Sequence, residues 1–231
     1  MRKIFAFALP IICIAFVAGS AAHAKLPTPE ERLDTGGVIK DITIPGESNM
    51  AHVTVRAVID ASPAVVWNTL KDIASWPRWL PMSKEAHLLS REAEPLITTD
   101  IAASQQKVVA IDKAHPNQEA GNPGSGTWQR LAYEEYDLPW PIDNEWVVRR
   151  YTYAEGMETK KASWRKIVSE NAGNDGYWEV SPWKDGKTHL KYFYIVKVKG
   201  HAPEPLFKGA ISLTVNSMIK ALRKEVKKRN S

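Results

Sequence analysis

Residues 51–60, AHVTVRAVID, alternate apolar and polar positions with period two and put Val53, Val55 and Ala57 on one face, which predicts a strand. Ser62 followed by Pro63 is a helix start, a capping hydroxyl before a proline at the first position. The run behind it, AVVWNTLKDI, carries Val66, Leu70 and Ile73 at helical spacing, and WPRWLP adds a short helical turn between Pro77 and Pro81. Residues 84–92 predict a strand. LITTDIAASQQKVVAIDKA, within 93–124, fits helix or strand equally, and HPNQEAGNPGSG after it is a loop. Five strand-like segments follow, at 126–136, 142–154, 160–170, 175–182 and 187–199. NAGNDG and Asp185-Gly186 mark tight turns between them. The chain then closes on a long helix, 203–229, whose Phe207, Ala210, Ile211, Thr214, Met218, Leu222 and Val226 recur at three- and four-residue steps.

This order predicts an α+β domain over 49–231: a curved antiparallel sheet wrapped around one long C-terminal helix, with two short helices after the first strand. A sheet bent around a single helix leaves space where the two curvatures differ, and that space is where a ligand would sit. Residues 25–48, rich in proline, glycine and charge, read as an extended lead-in. YDLPWPIDNEW, 136–146, brackets Trp140 with Pro139 and Pro141, which removes two backbone donors and holds Leu138 and Trp140 extended. This is a rigid corner between strands, and Trp140 belongs near one end of any cavity.

Arg2 and Lys3, the apolar run IFAFALPIICIAFVAG and the sequence SAAHA up to Ala24 form a secretory signal peptide at 1–24, so an exported, periplasmic or secreted protein beginning at Lys25 is expected. Pro10 and the shortness of the run weigh against an uncleaved anchor. Removing 24 of 231 residues leaves 207, enough for one domain with a real core, and removes Cys13, the only cysteine. Disulfides, thiolate nucleophiles and cysteine zinc sites are thereby excluded. The formal charge falls from +5 to +3 without Arg2 and Lys3, and much of the excess lies in ALRKEVKKRNS, a solvated basic helix end. No basic stripe elsewhere supports nucleic-acid binding; transient membrane contact with anionic headgroups is compatible with that end, and a monomer is expected. His87, His115, His189 and His201 are isolated in the sequence. No metal-binding, phosphate-cradling or nucleophile-elbow motif is present, so no cofactor, no metal and no catalytic residue is assigned.

Taken together, ASPAVVWNTLKDIASWPRWLP, LPWPIDNEWVVRRYTY, GYWEVSPWKDGKTHLKY and the terminal helix resemble the START-related, SRPBCC or helix-grip superfamily, which includes polyketide cyclase/dehydrase-like proteins. The resemblance spans about 50–229. It implies a mostly apolar cavity for a lipid or other hydrophobic small molecule, roofed by the terminal helix through Phe207, Ile211 and Met218. A cyclase-like enzyme acting in the same cavity is the alternative. Alternation puts Thr188, Leu190, Tyr192, Tyr194 and Val196 on one face of their strand, with His189 and Lys191 on the other, and the first set is assigned to the cavity. Trp178 and Val180 join it from the neighbouring strand. Trp146 and Val148 are assigned inward on the strand after the proline corner. In the START pattern that strand carries arginine and aspartate where this chain has Asn144 and Glu145, but its later arginine is kept at Arg150. Alternation alone leaves Arg149 or Arg150 as the inward arginine; the resemblance selects Arg150, paired with Glu134 or Glu135.

Overall fold

The computed structural model describes residues 26–45, 50–98, 104–117, 126–140, 142, 144–169, 175–197 and 203–231. The segment 1–24 expected to be a signal peptide, Pro141, His201 and most of the GNPGSG and NAGNDG turns lie outside these residues. Chain order is α1 (Pro29–Asp34), β1 (Val38–Thr43), β2 (Met50–Ile59), α2 (Pro63–Lys71), α3 (Trp76–Trp79), β3 (Ser83–Leu88), α4 (Gln105–Ala114), β4 (Thr127–Tyr136), β5 (Glu145–Glu155), β6 (Lys160–Ser169), β7 (Gly176–Pro182), β8 (Thr188–Lys197) and α5 (Glu204–Arg229). The eight strands form one antiparallel sheet in the order β1-β2-β8-β7-β6-β5-β4-β3. The sheet is curved and open, and α5 lies against its concave face: this is the helix-grip architecture.

Local chemistry explains these elements. Ser62 accepts a hydrogen bond from the Val65 amide at the start of α2, with proline in the first turn. The α5 helix ends in Lys227, Lys228 and Arg229, which complement its dipole. Arg229 also reaches Asp72 at 3.0 Å, tying the helix end to the segment after α2. Between β7 and β8, Asp185 (φ 55°) and Gly186 (φ 71°) are both left-handed, a turn whose twist suits a hairpin and which aspartate and glycine tolerate best.

The main core fills the concave face. Val53, Val55 and Ala57 of β2 and Leu190 of β8 meet Trp67 and Leu70 of α2 and Phe207, Ile211 and Leu222 of α5, all buried. Thr214 is the one member of the predicted helix stripe that is not buried, and Val215 and Ile219 complete the face.

Two parts depart from expectation. Residues 26–45 are not a plain lead-in. Thr28 and Glu31 form a capping box for α1, and β1 pairs with β2 as an edge strand. Asp34 then accepts hydrogen bonds from Trp183 Nε1 at 2.9 Å and Lys184 Nζ at 3.0 Å, clipping this segment to the β7–β8 hairpin. The second departure is on the convex face, which carries a core of its own. There α4, capped by Ser104, and the segment 89–97 cover Leu131 and Tyr133 of β4, Trp146 and Val148 of β5 and Val168 of β6. His87 is not isolated either: its Nε2 lies 2.8 Å from Asp112 Oδ2, bridging β3 to α4.

Candidate functional site

Between the sheet and α5 lies a cavity with about 90 Å³ of space for the centres of water-sized molecules. One wall is aromatic. Tyr151 of β5, Trp164 of β6, Trp178 of β7 and Tyr192 and Tyr194 of β8 stand on the same face of consecutive strands. Trp178 stacks on Tyr192 with ring centres 3.9 Å apart, and Tyr192 on Tyr194 at 4.6 Å. Trp164 can lie down in this wall because its cross-strand partner is Gly176. A Cβ there would come 2.5 Å from the Trp164 ring and 2.4 Å from the Phe193 carbonyl oxygen. The roof is Thr214, Val215 and Met218 of α5.

At the partly exposed end lie Leu80, Pro81, Met82 and Leu138, with Ile142 buried beside them. Met82 has φ 75°, uncommon for a side chain of its size, and its carbonyl accepts from the Asp137 amide at 2.9 Å. The proline corner is held by Asn144, whose side chain accepts from the Leu138 amide at 2.8 Å and donates to Asp137 at 3.2 Å. Leu138 therefore points into the cavity, while Trp140 is 71% exposed beside it and does not line it.

The polar end is a buried ion cluster. Arg149, 2% exposed, donates to the fully buried Glu134 and, at 3.4 Å, to Glu145. Tyr151 donates to Glu134 at 2.7 Å and Tyr136 also donates to it. Glu134 stands opposite Val147 and Arg149 opposite Ala132, so the two charged side chains meet along a diagonal of one sheet face. Burial and then the nearby Glu134 carboxylate push the Tyr136 and Tyr151 phenols well up, so both stay protonated donors. Burial alone would pull Arg149 down, but Glu134, Tyr136 and Glu145 hold it well above its ordinary value, and it remains a cation. Among the described residues, no three metal-ligating side chains converge, and no helix is long and apolar enough to cross a membrane.

Of the residues assigned to the site from sequence, Trp178, Tyr192, Tyr194 and Met218 line the cavity, and Glu134 lies under Arg149 at its polar end. Leu190, Phe207 and Ile211 belong to the core on the same face without lining the cavity. The inward phase of β5 is the reverse of the expected one. Trp146 and Val148 pack into the convex core, and Arg150 is exposed, opposite Arg165; Arg149 is the inward arginine. The cause is that both phases of EWVVRRYTY are apolar or aromatic, because α4 covers the convex face there and the cavity the concave one. Alternation cannot choose a phase when both faces are buried. A bulge at Ile167 turns Val168 of β6 to the convex side opposite Val148. Sequence reasoning held Arg149 only as the alternative to Arg150, and it missed Tyr136, Glu145, Tyr151 and Trp164. Tyr151 and Tyr153, two residues apart beyond the arginines, were the available signal for the odd phase.

Residues 50–137 match the family described as polyketide cyclase/dehydrase and lipid transport. Comparison with curated proteins gives no match. Among solved structures, the chain is similar to a STAR-related lipid transfer protein from Xanthomonas axonopodis, with TM-score 0.56 and 16% identity over 83% of this chain and 94% of that one. It is similar to human StAR-related lipid transfer protein 5, with TM-score 0.55 and 10% identity over 83% and 88%. It is also similar to human STARD10, with TM-score 0.51 and 12% identity over 88% and 81%. At such identities the likeness is one of fold.

Proposed function

We propose that this chain is a START-related SRPBCC protein that binds a lipid or other hydrophobic small molecule between the sheet and α5, as an exported protein that carries its ligand rather than transforming it. The observation that supports it most is the cavity itself, an aromatic wall of Trp164, Trp178, Tyr192 and Tyr194 with a single polar end. Such a wall favours apolar surface, and one cluster of polar groups orients it. The leader at residues 1–24 supports export, and the mature chain then starts at Lys25.

N-phenyl-1-naphthylamine, a neutral apolar fluorophore, tests this directly. Titrated into the mature chain, it should saturate at one site and quench tryptophan emission by energy transfer. Native mass spectrometry of protein purified from cells should show a co-purifying hydrophobic molecule. A folded protein that neither binds the fluorophore nor retains any such molecule sinks the binding proposal. An exported fraction whose first residue is Met1 sinks the export one.

The second reading, a cyclase-like enzyme, rests on the Glu134–Arg149–Glu145 cluster, which could exchange a proton with a bound substrate. Its mark would be turnover lost in Glu145→Gln while N-phenyl-1-naphthylamine still binds.

A further inference from the structure

Of the five rings in the aromatic wall, Tyr151, Trp164, Trp178 and Tyr194 are buried, and Tyr192 alone is half-buried. Tyr192 stands mid-strand on β8, on the face that packs against α5, so the surface it keeps opens on the cavity it lines. Which part of the ring is open follows from its neighbours. Trp178 stacks on it with ring centres 3.9 Å and planes 15° apart, and Tyr194 does so at 4.6 Å and 19°. Two rings that near and that parallel cannot share one face, so they cover opposite faces of Tyr192. What remains open is the rim, and the side chain stands away from the sheet with its hydroxyl foremost.

That hydroxyl is also the polar group left over beside the ion cluster. Glu134 already accepts from Arg149, Tyr136 and Tyr151, and Arg149 donates to Glu145 as well. Among the described residues, no hydrogen bond engages the Tyr192 hydroxyl. Burial, and then the neighbouring Tyr194 phenol, push Tyr192 well up, so it stays a protonated donor. An aromatic rim carries positive potential, and an O–H set in that rim favours an electron-rich oxygen over further hydrocarbon. We propose that Tyr192 is the residue that orients the ligand, donating a hydrogen bond from its hydroxyl to an oxygen acceptor on an otherwise hydrophobic molecule. This rests on the binding reading above and names the contact that fixes the ligand's polar group.

Two naphthalenes of nearly one shape read this contact: 2-acetylnaphthalene, with a carbonyl oxygen, and 2-isopropylnaphthalene, without one. Calorimetric titration of the mature chain should favour the ketone. Tyr192→Phe keeps the stacked ring and deletes the hydroxyl. It should weaken the ketone about three- to tenfold and move the hydrocarbon by no more than about twofold. Tyr177→Phe removes a hydroxyl from the opposite face of the sheet and should change neither. In the unaltered protein, the carbonyl stretch of the bound ketone should lie below its value in hexane, a readout that needs no variant. An equal loss for both ligands in Tyr192→Phe would mean that the ring packs and the hydroxyl does nothing, and would overturn the proposal. So would a ketone affinity unchanged by Tyr192→Phe, or a stretch at its hexane value. Should N-phenyl-1-naphthylamine bind while the ketone does not, the proposal fails and the wider binding reading stands; if nothing apolar binds, both fail.

Discussion

Arg149 and Arg150 are chain neighbours with opposite environments, and they should respond oppositely to the same change. Arg149→Met strands Glu134 and Glu145 as buried carboxylates without their cation, and a loss of about 3–5 kcal/mol in urea unfolding is expected. Arg150→Met, on an exposed side chain, should stay within about 0.5 kcal/mol. Equal losses would mean that the facing of β5 is wrong. Gly176 is a second residue whose identity is dictated by a neighbour, since any Cβ would strike the Trp164 ring and the Phe193 carbonyl. Gly176→Ala should cost about 1–3 kcal/mol by overpacking, and it should also displace Trp164, visible as a shift of tryptophan emission. An unchanged melting curve and spectrum would refute the close approach of these strands. Neither residue's role was legible in advance: Arg149 needed the cover on the far face, and Gly176 a contact across two strands.

The long helix and the short one differ in how clearly they announce themselves. In α5, buried positions recur over 26 residues, and the solvent side is as well defined as the core side. Leu222, 1% exposed, and Leu213, 71% exposed, make the contrast testable. Leu222→Asp should lose about 3 kcal/mol or more, by burying a charge against the core. Leu213→Asp should change thermal unfolding by no more than about 0.5 kcal/mol. Similar effects from the two would contradict the docking of this helix. By contrast, α4 buries only Val108 fully, with Val109 and Ile111 partly covered. So sparse a stripe fits helix or strand, which is why the segment stayed open in sequence. Its packing against Trp146 and Val148 is what makes it a helix here, a tertiary contact overriding weak local preference.

Curvature creates the cavity of the molecule as a whole. The sheet bends around α5, the core fills the β2–β8 side, and the space left near β5–β8 is lined by aromatic rings. A ligand that binds only the folded protein must stabilise it. N-phenyl-1-naphthylamine at a hundred times its Kd should add about 2.7 kcal/mol, a rise of roughly 5–10 °C in Tm for a domain of this size. Saturable binding with no rise in Tm would show that the fluorophore sits on unfolded or surface sites instead. The convex layer under α4 should be indifferent to the ligand, since Trp146 and Val148 do not reach the cavity.

The linear pattern was sufficient for whatever depends on near neighbours. Period-two alternation identified β2 and β8 and their inward faces, three- and four-residue recurrence identified α5, and serine–proline and aspartate–glycine pairs identified a cap and a turn. These features work over a few residues of chain, so they survive in the sequence. Tertiary structure alone decided which of two apolar phases of β5 faces α5, because that depends on α4 folding over the opposite face. It alone joined Glu134, Glu145 and Arg149 into one buried cluster, through a strand register that alternation does not specify. And it alone set Gly176 against the Trp164 ring and the Phe193 carbonyl, since that close approach depends on three strands brought together by the fold.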